Sequence, residues 1–252
     1  MKFLGDTRLL SWRRTLQLLR NPLWLFVSLT VPLLYLALFT PLLTGLRAAP
    51  GLGGNALEEF LPSVLALLAF SSGASAGFST LFELQAGVIE RFRVTPASRL
   101  ALLLGPLLSG LVSMFVFDLL MLVAGVAFGY HLHLGGLLVL AVLLALFYLT
   151  MAAFSTAVAL ISKEITGFAA VVNGINLPLM LLAGVLLPVS LGPGWMNVLA
   201  HFNPLYYLVQ ASRTLAVNSF SGDTLWQAFA VLTPLTVVSL AWATRVYRRA
   251  VA

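Results

Sequence analysis

The sequence predicts an all-α polytopic membrane protein. It has six transmembrane helices, an N-terminal amphipathic interfacial helix and outer re-entrant helices before the sixth span. Three observations carry this. First, 60% of the 252 residues are hydrophobic and 9% are charged, and mean hydropathy is +1.02. A soluble domain is about 45–50% apolar and about 25% charged. With 14 basic and 8 acidic residues, the chain cannot give a globule a polar skin, so its surface must face lipid. That excludes a soluble enzyme, a disordered chain and a free nucleic-acid binder. Second, six stretches reach the roughly 20 apolar residues a spanning helix needs. Third, the basic residues alternate in density between the segments that join those stretches.

The chain opens with Asp6 as a plausible N-cap. Leu9, Trp12, Leu16 and Leu19 then recur at helical spacing, flanked by Arg8, Arg13, Arg14 and Arg20. This pattern predicts a helix over residues 1–22 lying in the membrane interface. It serves as an anchor or also as a surface for a cytoplasmic partner. Asn21-Pro22 ends it. Span one follows over 23–43; it is too long for the apolar region of a signal peptide, and it carries Pro32.

Span two covers 60–82. It contains Gly73-Ala74-Ser75-Ala76-Gly77, a match to G-x-S-x-G. A nucleophile elbow needs a strand–turn–helix, whereas this motif lies inside an apolar helix. Small residues four apart are the usual packing device between helices in lipid. Ser75 is therefore a candidate for a helix interface or a translocation path ahead of a catalytic serine. Gly125 and Gly129 in span three have the same spacing.

Residues 83–99 are the most charge-dense part of the chain, with Glu83, Glu90, Arg91, Arg93 and Arg99. Glu83 and Glu90 would share a face if a helix ran through both. Such a segment either transmits force between a cytoplasmic partner and the spans or simply carries topology-setting arginines. Thr95-Pro96 suits the N-cap and first turn of span three. That span, 100–128, holds Asp118 at mid-depth. An acid in the bilayer is a functional candidate by default, here for a proton or a cation, or it is neutral or bonded to a neighbouring helix. Spans four and five cover 134–162 and 165–187. Asn173, Asn176 and Pro178 interrupt the fifth, either to line a path or to bridge helices.

Residues 188–224 form the outer re-entrant region. The stretch 195–217 is apolar enough to suggest a seventh span, but it holds Trp195, Asn197, His201, Asn203, Pro204, Gln210 and Arg213. We read it as two short helices broken at Asn203-Pro204, dipping into the outer leaflet. Span six follows over 225–246.

With the N-terminus in the cytoplasm, 12 of the 14 basic residues lie inside and only Arg47 and Arg213 outside. This fits the positive-inside rule, and two basic ends on one side require an even number of spans. Chemistry that needs cysteine is absent with cysteine itself. His131 and His133 make at most half a metal site, so no metal or catalytic centre is expected. Lys2 and Lys163 are followed by Phe and Glu, so no P-loop exists. Residues 1–252 are expected to form a single transmembrane permease domain without a nucleotide-binding domain.

Glu83-Leu84-Gln85-Ala86-Gly87-Val88-Ile89-Glu90-Arg91 leading to Thr95-Pro96-Ala97-Ser98-Arg99 resembles the signature loop of type-2 ABC transporter permeases. Ala183-Gly184 to Pro188, Pro193-Gly194-Trp195, and Asn203-Pro204-Leu205-Tyr206-Tyr207 to Arg213 resemble that family's fifth span and outer re-entrant region. The resemblance extends to the daunorubicin-resistance-type drug and lipid exporter permeases. Phe92-Arg93-Val94 is more basic than the pattern leads one to expect.

The resemblance implies a permease subunit of an ATP-driven exporter for an amphipathic drug, lipid or lipid-linked substrate. A second permease pairs with it as homodimer or heterodimer. Separate ATP-binding subunits hold the ATP and Mg, so this chain has no cofactor. Glu83, Gly87, Glu90, Arg91 and Arg93 would couple to the ATPase, and spans two and five would line the path. The expected location is a bacterial or archaeal cell (inner) membrane with both termini cytoplasmic and no nucleic-acid partner. The alternatives are a proton-coupled secondary transporter using Asp118 and an intramembrane hydrolase built on Ser75.

Overall fold

The computed structural model describes residues 29–38, 41, 56–87, 99–131, 134–185, 189, 192–216 and 222–251, all helix or connecting turn. Eight helices are present among them. They are α1 (Leu29–Leu38), α2 (Ala56–Gln85), α3 (Arg99–Ala127), α4 (Leu134–Ser162), α5 (Ile165–Leu182), α6 (Gly194–Ala200), α7 (Pro204–Ala216) and α8 (Gly222–Val251). Five of these, α2, α3, α4, α5 and α8, are long and apolar enough to cross a membrane; α1 lies within the expected first span. The interfacial-helix residues Leu9, Trp12, Arg13, Leu16 and Leu19 lie outside the described residues, as do Glu90, Arg91 and Arg93.

The helix ends follow local chemistry. α2 closes at Gln85, and Gly87 takes φ +67°, a left-handed conformation that glycine adopts without cost. A continuous helix carrying both Glu83 and Glu90 on one face is therefore interrupted at Gly87. α5 stops at Leu182, sooner than the expected 187, because Gly184 (φ +72°) turns the chain out of the helix. α8 runs beyond residue 246. Asp223 in its first turn and Arg248 and Arg249 in its last suit the helix dipole. Prolines 62, 106, 178 and 234 sit inside helices, which spanning helices tolerate when neighbours or side chains take up the freed carbonyls.

α4 is the central element. It packs most extensively on α2 and α8, and α7 fills the junction of α2, α4 and α8. Tyr148 and Phe147 of α4 are among the largest fully buried side chains. Gly73 and Gly77 make the α2–α4 approach possible. A methyl on Gly73 would stand 2.7 Å from Met151 Cβ and 3.0 Å from Tyr148 O; at Gly77 it would enter Phe168 and Ser155. The small residues of the G-x-S-x-G match thus seat α2 on its neighbours. Gly125 lies against Leu61 in the same way, but Gly129 does not. It sits past the end of α3 at φ +96° with open space around it, so it ends a helix and packs against nothing.

Hydroxyls cross-link this core. Ser155 of α4 donates to Ala74 O of α2 at 2.6 Å and accepts from Gly77 N at 2.9 Å. Thr150 Oγ1 and Thr236 Oγ1 join α4 to α8 at 2.8 Å.

Candidate functional site

Two constructions in the fold bring polar groups together, one at each end of the bundle. At the end where α5 finishes, the broken pair α6–α7 grips α5. α6 ends at Ala200 and α7 begins at Pro204. Asn203 between them is buried. Its Oδ1 accepts from Leu205 N at 3.0 Å, capping α7, and its Nδ2 donates to Leu179 O at 2.7 Å. Arg213, one helix later, donates from Nη2 to Gly184 O at 2.7 Å and to Val185 O at 3.4 Å. Its Nε donates to Ser63 Oγ of α2 at 3.1 Å. A helix end exposes carbonyls and carries partial negative charge. A guanidinium with several donors, backed by an amide, satisfies that end inside apolar surroundings.

The sequence singled out Asn203, Pro204 and Arg213, but their partners come from helices up to 150 positions away. Trp195 and Val198 are exposed on α6, and Phe202 is exposed just past its end, so this stretch presents an apolar face. His201 sits against Tyr206 and Tyr207, with Tyr207 Oη donating to His201 O at 3.0 Å. Burial, and secondarily Glu58, pushes the Tyr130 phenol beyond α3 above its ordinary value.

The second construction is a cavity of about 790 Å³ between α2 and α3. Glu83 late in α2, Leu102 early in α3, Thr156 late in α4 and Tyr247 late in α8 all line it, so those helix ends lie together at one end of the bundle. Its wall is a ladder of hydroxyls: Ser71, Ser75 and Ser79 on α2 face Ser109 and Ser113 on α3. The i, i+4 recurrence was the available signal for Ser71, Ser79, Ser109 and Ser113, and the sequence reading passed over it for Ser75 alone. Ser75 donates to Ser72 O at 2.8 Å and points away from the α4 interface that Gly73 and Gly77 occupy.

The remaining candidates stand apart from both constructions. Asp118 is buried on α3, and neither carboxyl oxygen has a hydrogen-bond partner among the described residues. Asn173 is exposed and Asn176 half-buried on α5. Only 6% of the α5 span is buried within the chain, against 61% of the α2 span; Phe168 is its one buried residue. Among the described residues the asparagines therefore bridge to no other helix. Glu83 is half-buried at the mouth of the cavity, and Gly87 lies two residues past the helix end. Among the described residues no cluster of His, Cys, Asp and Glu could hold a metal.

Comparison with known proteins adds two findings. The family model described as ABC-2 type transporter matches residues 6–217. A putative transport permease, ycf38, of Cyanophora paradoxa is 29% identical over 223 residues, covering 86% of this chain and 76% of that protein. The daunorubicin resistance ABC transporter permease protein DrrB1 of Streptomyces coeruleorubidus is 25% identical over 206 residues, 81% and 72% of the two chains.

Proposed function

The chain belongs to the ABC-2 type transporter family, and on that premise we propose that it is the membrane path of an ATP-driven exporter. Its relatives are transport permeases, not enzymes. The match across 6–217 is the observation that carries the reading. The lack of a P-loop makes a separate ATP-binding subunit, with its ATP and Mg, the source of energy. The proton-coupled alternative gains no support, since Asp118 has no partner among the described residues with which to form a relay.

In this reading two permeases pair, as homodimer or heterodimer, and two ATPases dock beneath them. α5 carries Asn173 and Asn176 on a face that the described residues of the chain leave largely uncovered. Amides facing hydrocarbon are costly, so a second permease or the substrate path between the two covers them. Glu83 in the last turn of α2, Gly87, and Glu90, Arg91 and Arg93 beyond it pass the ATPase stroke to α2 and α3. The interfacial helix over 1–22 lies against the same partner. Six spans, both termini in the cytoplasm and a dip of α6–α7 into the outer leaflet complete the topology, in a bacterial or archaeal cell membrane. An amphipathic drug, lipid or lipid-linked molecule is the cargo.

Where an adjacent reading frame encodes a P-loop ATPase, co-expression with it tests the proposal. The ATPase should co-purify, and ATP should drive export from the reconstituted complex. Glu90→Lys should abolish stimulation of the ATPase while the permease still reaches the membrane folded. Export by the permease alone, driven by a proton gradient without ATP, overturns the reading.

A further inference from the structure

The cavity between α2 and α3 lies within one protomer, and Tyr148 and Thr156 of α4 also stand in its wall. Its volume, about 790 Å³, falls in the range of roughly 300–1,000 Å³ typical of small-molecule sites. Three of its hydroxyls have committed their hydrogens to their own helices. Ser75 donates to Ser72 O at 2.8 Å, Thr80 to Ala76 O at 3.1 Å and Ser113 to Ser109 O at 2.9 Å. Each therefore presents oxygen lone pairs to the cavity and accepts more readily than it donates.

A fourth hydroxyl is uncommitted. Ser109 is 1% exposed, lines the cavity, and its Oγ has no hydrogen-bond partner among the described residues. A buried hydroxyl left unpaired is costly; its Oγ is closed off from the open space, so a ligand supplies the missing partner when the side chain turns toward the cavity. Among the described residues no lysine, arginine or histidine lines the space; Glu83 stands at its mouth, and Phe82 and Phe117 give it aromatic walls.

We propose that this cavity is a ligand site inside each protomer, and that it takes an amphiphile whose polar end donates hydrogen bonds, an amine or a polyol. An amphiphile ending in a sulfonate, phosphate or carboxylate meets those acceptor oxygens and, among the described residues, no cation there. The proposal rests on the permease reading and extends it: it gives that permease a loading site apart from any path between two permeases.

The chain has no cysteine, so single thiols report the site. Ser79→Cys and Ser113→Cys place one in the cavity, and Val171→Cys places one on the exposed face of α5, outside it. The full chain is reconstituted in phosphatidylcholine vesicles and labelled with N-ethylmaleimide, with and without 1-pyrenemethylamine or 1-pyrenesulfonate. The two probes share one aromatic body and differ at the polar end. The amine should slow labelling of the Ser79→Cys and Ser113→Cys thiols at least fivefold and leave the Val171→Cys thiol unchanged. The sulfonate should protect none of them.

Adding Ser109→Ala should raise the amine concentration needed for protection several-fold. Protection by phosphatidylethanolamine vesicles without probe would assign the donor to a lipid headgroup, within the same class. Equal protection by the sulfonate overturns the proposal. So does protection confined to the Val171→Cys thiol, no protection at all, or cavity thiols that never label. ATP-driven export, measured separately with the ATPase, distinguishes the two readings. Export without cavity protection removes only the loading site; cavity protection without ATPase recruitment removes only the permease reading.

Discussion

α4 and α5 are joined by two residues, yet the chain treats them oppositely. The buried share of the span is 44% for α4 and 6% for α5. α4 sits at the centre and spends its hydroxyls on neighbours: Thr150 on Thr236, Ser155 on the backbone of α2. Among the described residues, α5 is held near its two ends. At its start Phe168 packs edge-on against Phe78 of α2, with ring centroids 4.7 Å apart. At its finish Asn203 and Arg213 hold Leu179, Gly184 and Val185. Between those points Asn173, Gly174 and Ile175 are exposed. The connection itself is tight, with Lys163 at φ +55°, a conformation that non-glycine residues adopt at a cost. The contrast teaches that one helix builds the protomer and the other is left for what lies outside it.

Substitutions test that division, and the largest effect belongs to the core. Gly73→Val drives side-chain atoms into Met151 Cβ and the α4 backbone at Tyr148 and Ala152. Backbone cannot move aside as a flexible side chain does. We expect about 3 kcal/mol of destabilisation or more, read as lost monodisperse yield in detergent. Stability within 1 kcal/mol of the parent would mean that α2 and α4 are not held by close approach.

Next comes the tether at the end of α5. Arg213→Ala leaves Ser63 and the carbonyls of Gly184 and Val185 without their donor, at about 2–3 kcal/mol. Proteolysis or hydrogen exchange should localise the loosening to the end of α5 and to α7. Arg213→Lys should recover part of it, because an ammonium cannot span the same three acceptors as a guanidinium fork. Loosening spread evenly over α4 would contradict the idea that α5 is held at its ends.

A smaller loss is expected within the core at Thr150→Val. Thr236 keeps its bond to Leu232 O at 2.7 Å, so no buried group is orphaned, and the cost should be about 0.6 kcal/mol. The smallest effect on the protomer belongs to Asn173→Leu combined with Asn176→Leu. Stability of the isolated chain should stay within about 0.5 kcal/mol, while pairing of permeases or export falls sharply. A marked loss of protomer stability with export preserved would place the asparagines in the core and break the contrast.

Much of this was legible in advance, and the residues show why the rest was not. The fourth span reads directly as 134–162, because an unbroken apolar run leaves no alternative. The break before Pro204 follows from a proline that cannot continue a helix and an asparagine suited to cap the next one. Arg213 could be recognised as unusual in an apolar stretch, but not assigned to Gly184, Val185 and Ser63. Gly129 shared the four-residue spacing of the packing glycines, and only its backbone angle and open surroundings separate it from them. Asp118 was conspicuous in sequence, yet the fold gives it no hydrogen-bond partner among the described residues. The serine ladder was overlooked because serines on α2 and α3 acquire meaning only when the two helices face each other.

By itself the sequence determined that the chain lives in a membrane, where most of its spans run and which family it resembles. These follow from the shortage of charge, the length of apolar runs and short motifs, all of them local or additive. The tertiary structure alone decided which spans are interior, which glycines touch a neighbour, what satisfies the end of α5 and where a hydroxyl-lined cavity opens. In water, the apolar stripe of a helix points to its core. In lipid both the bundle and the solvent are apolar, so the pattern along a span no longer says which way it faces, and only packing against the other helices does.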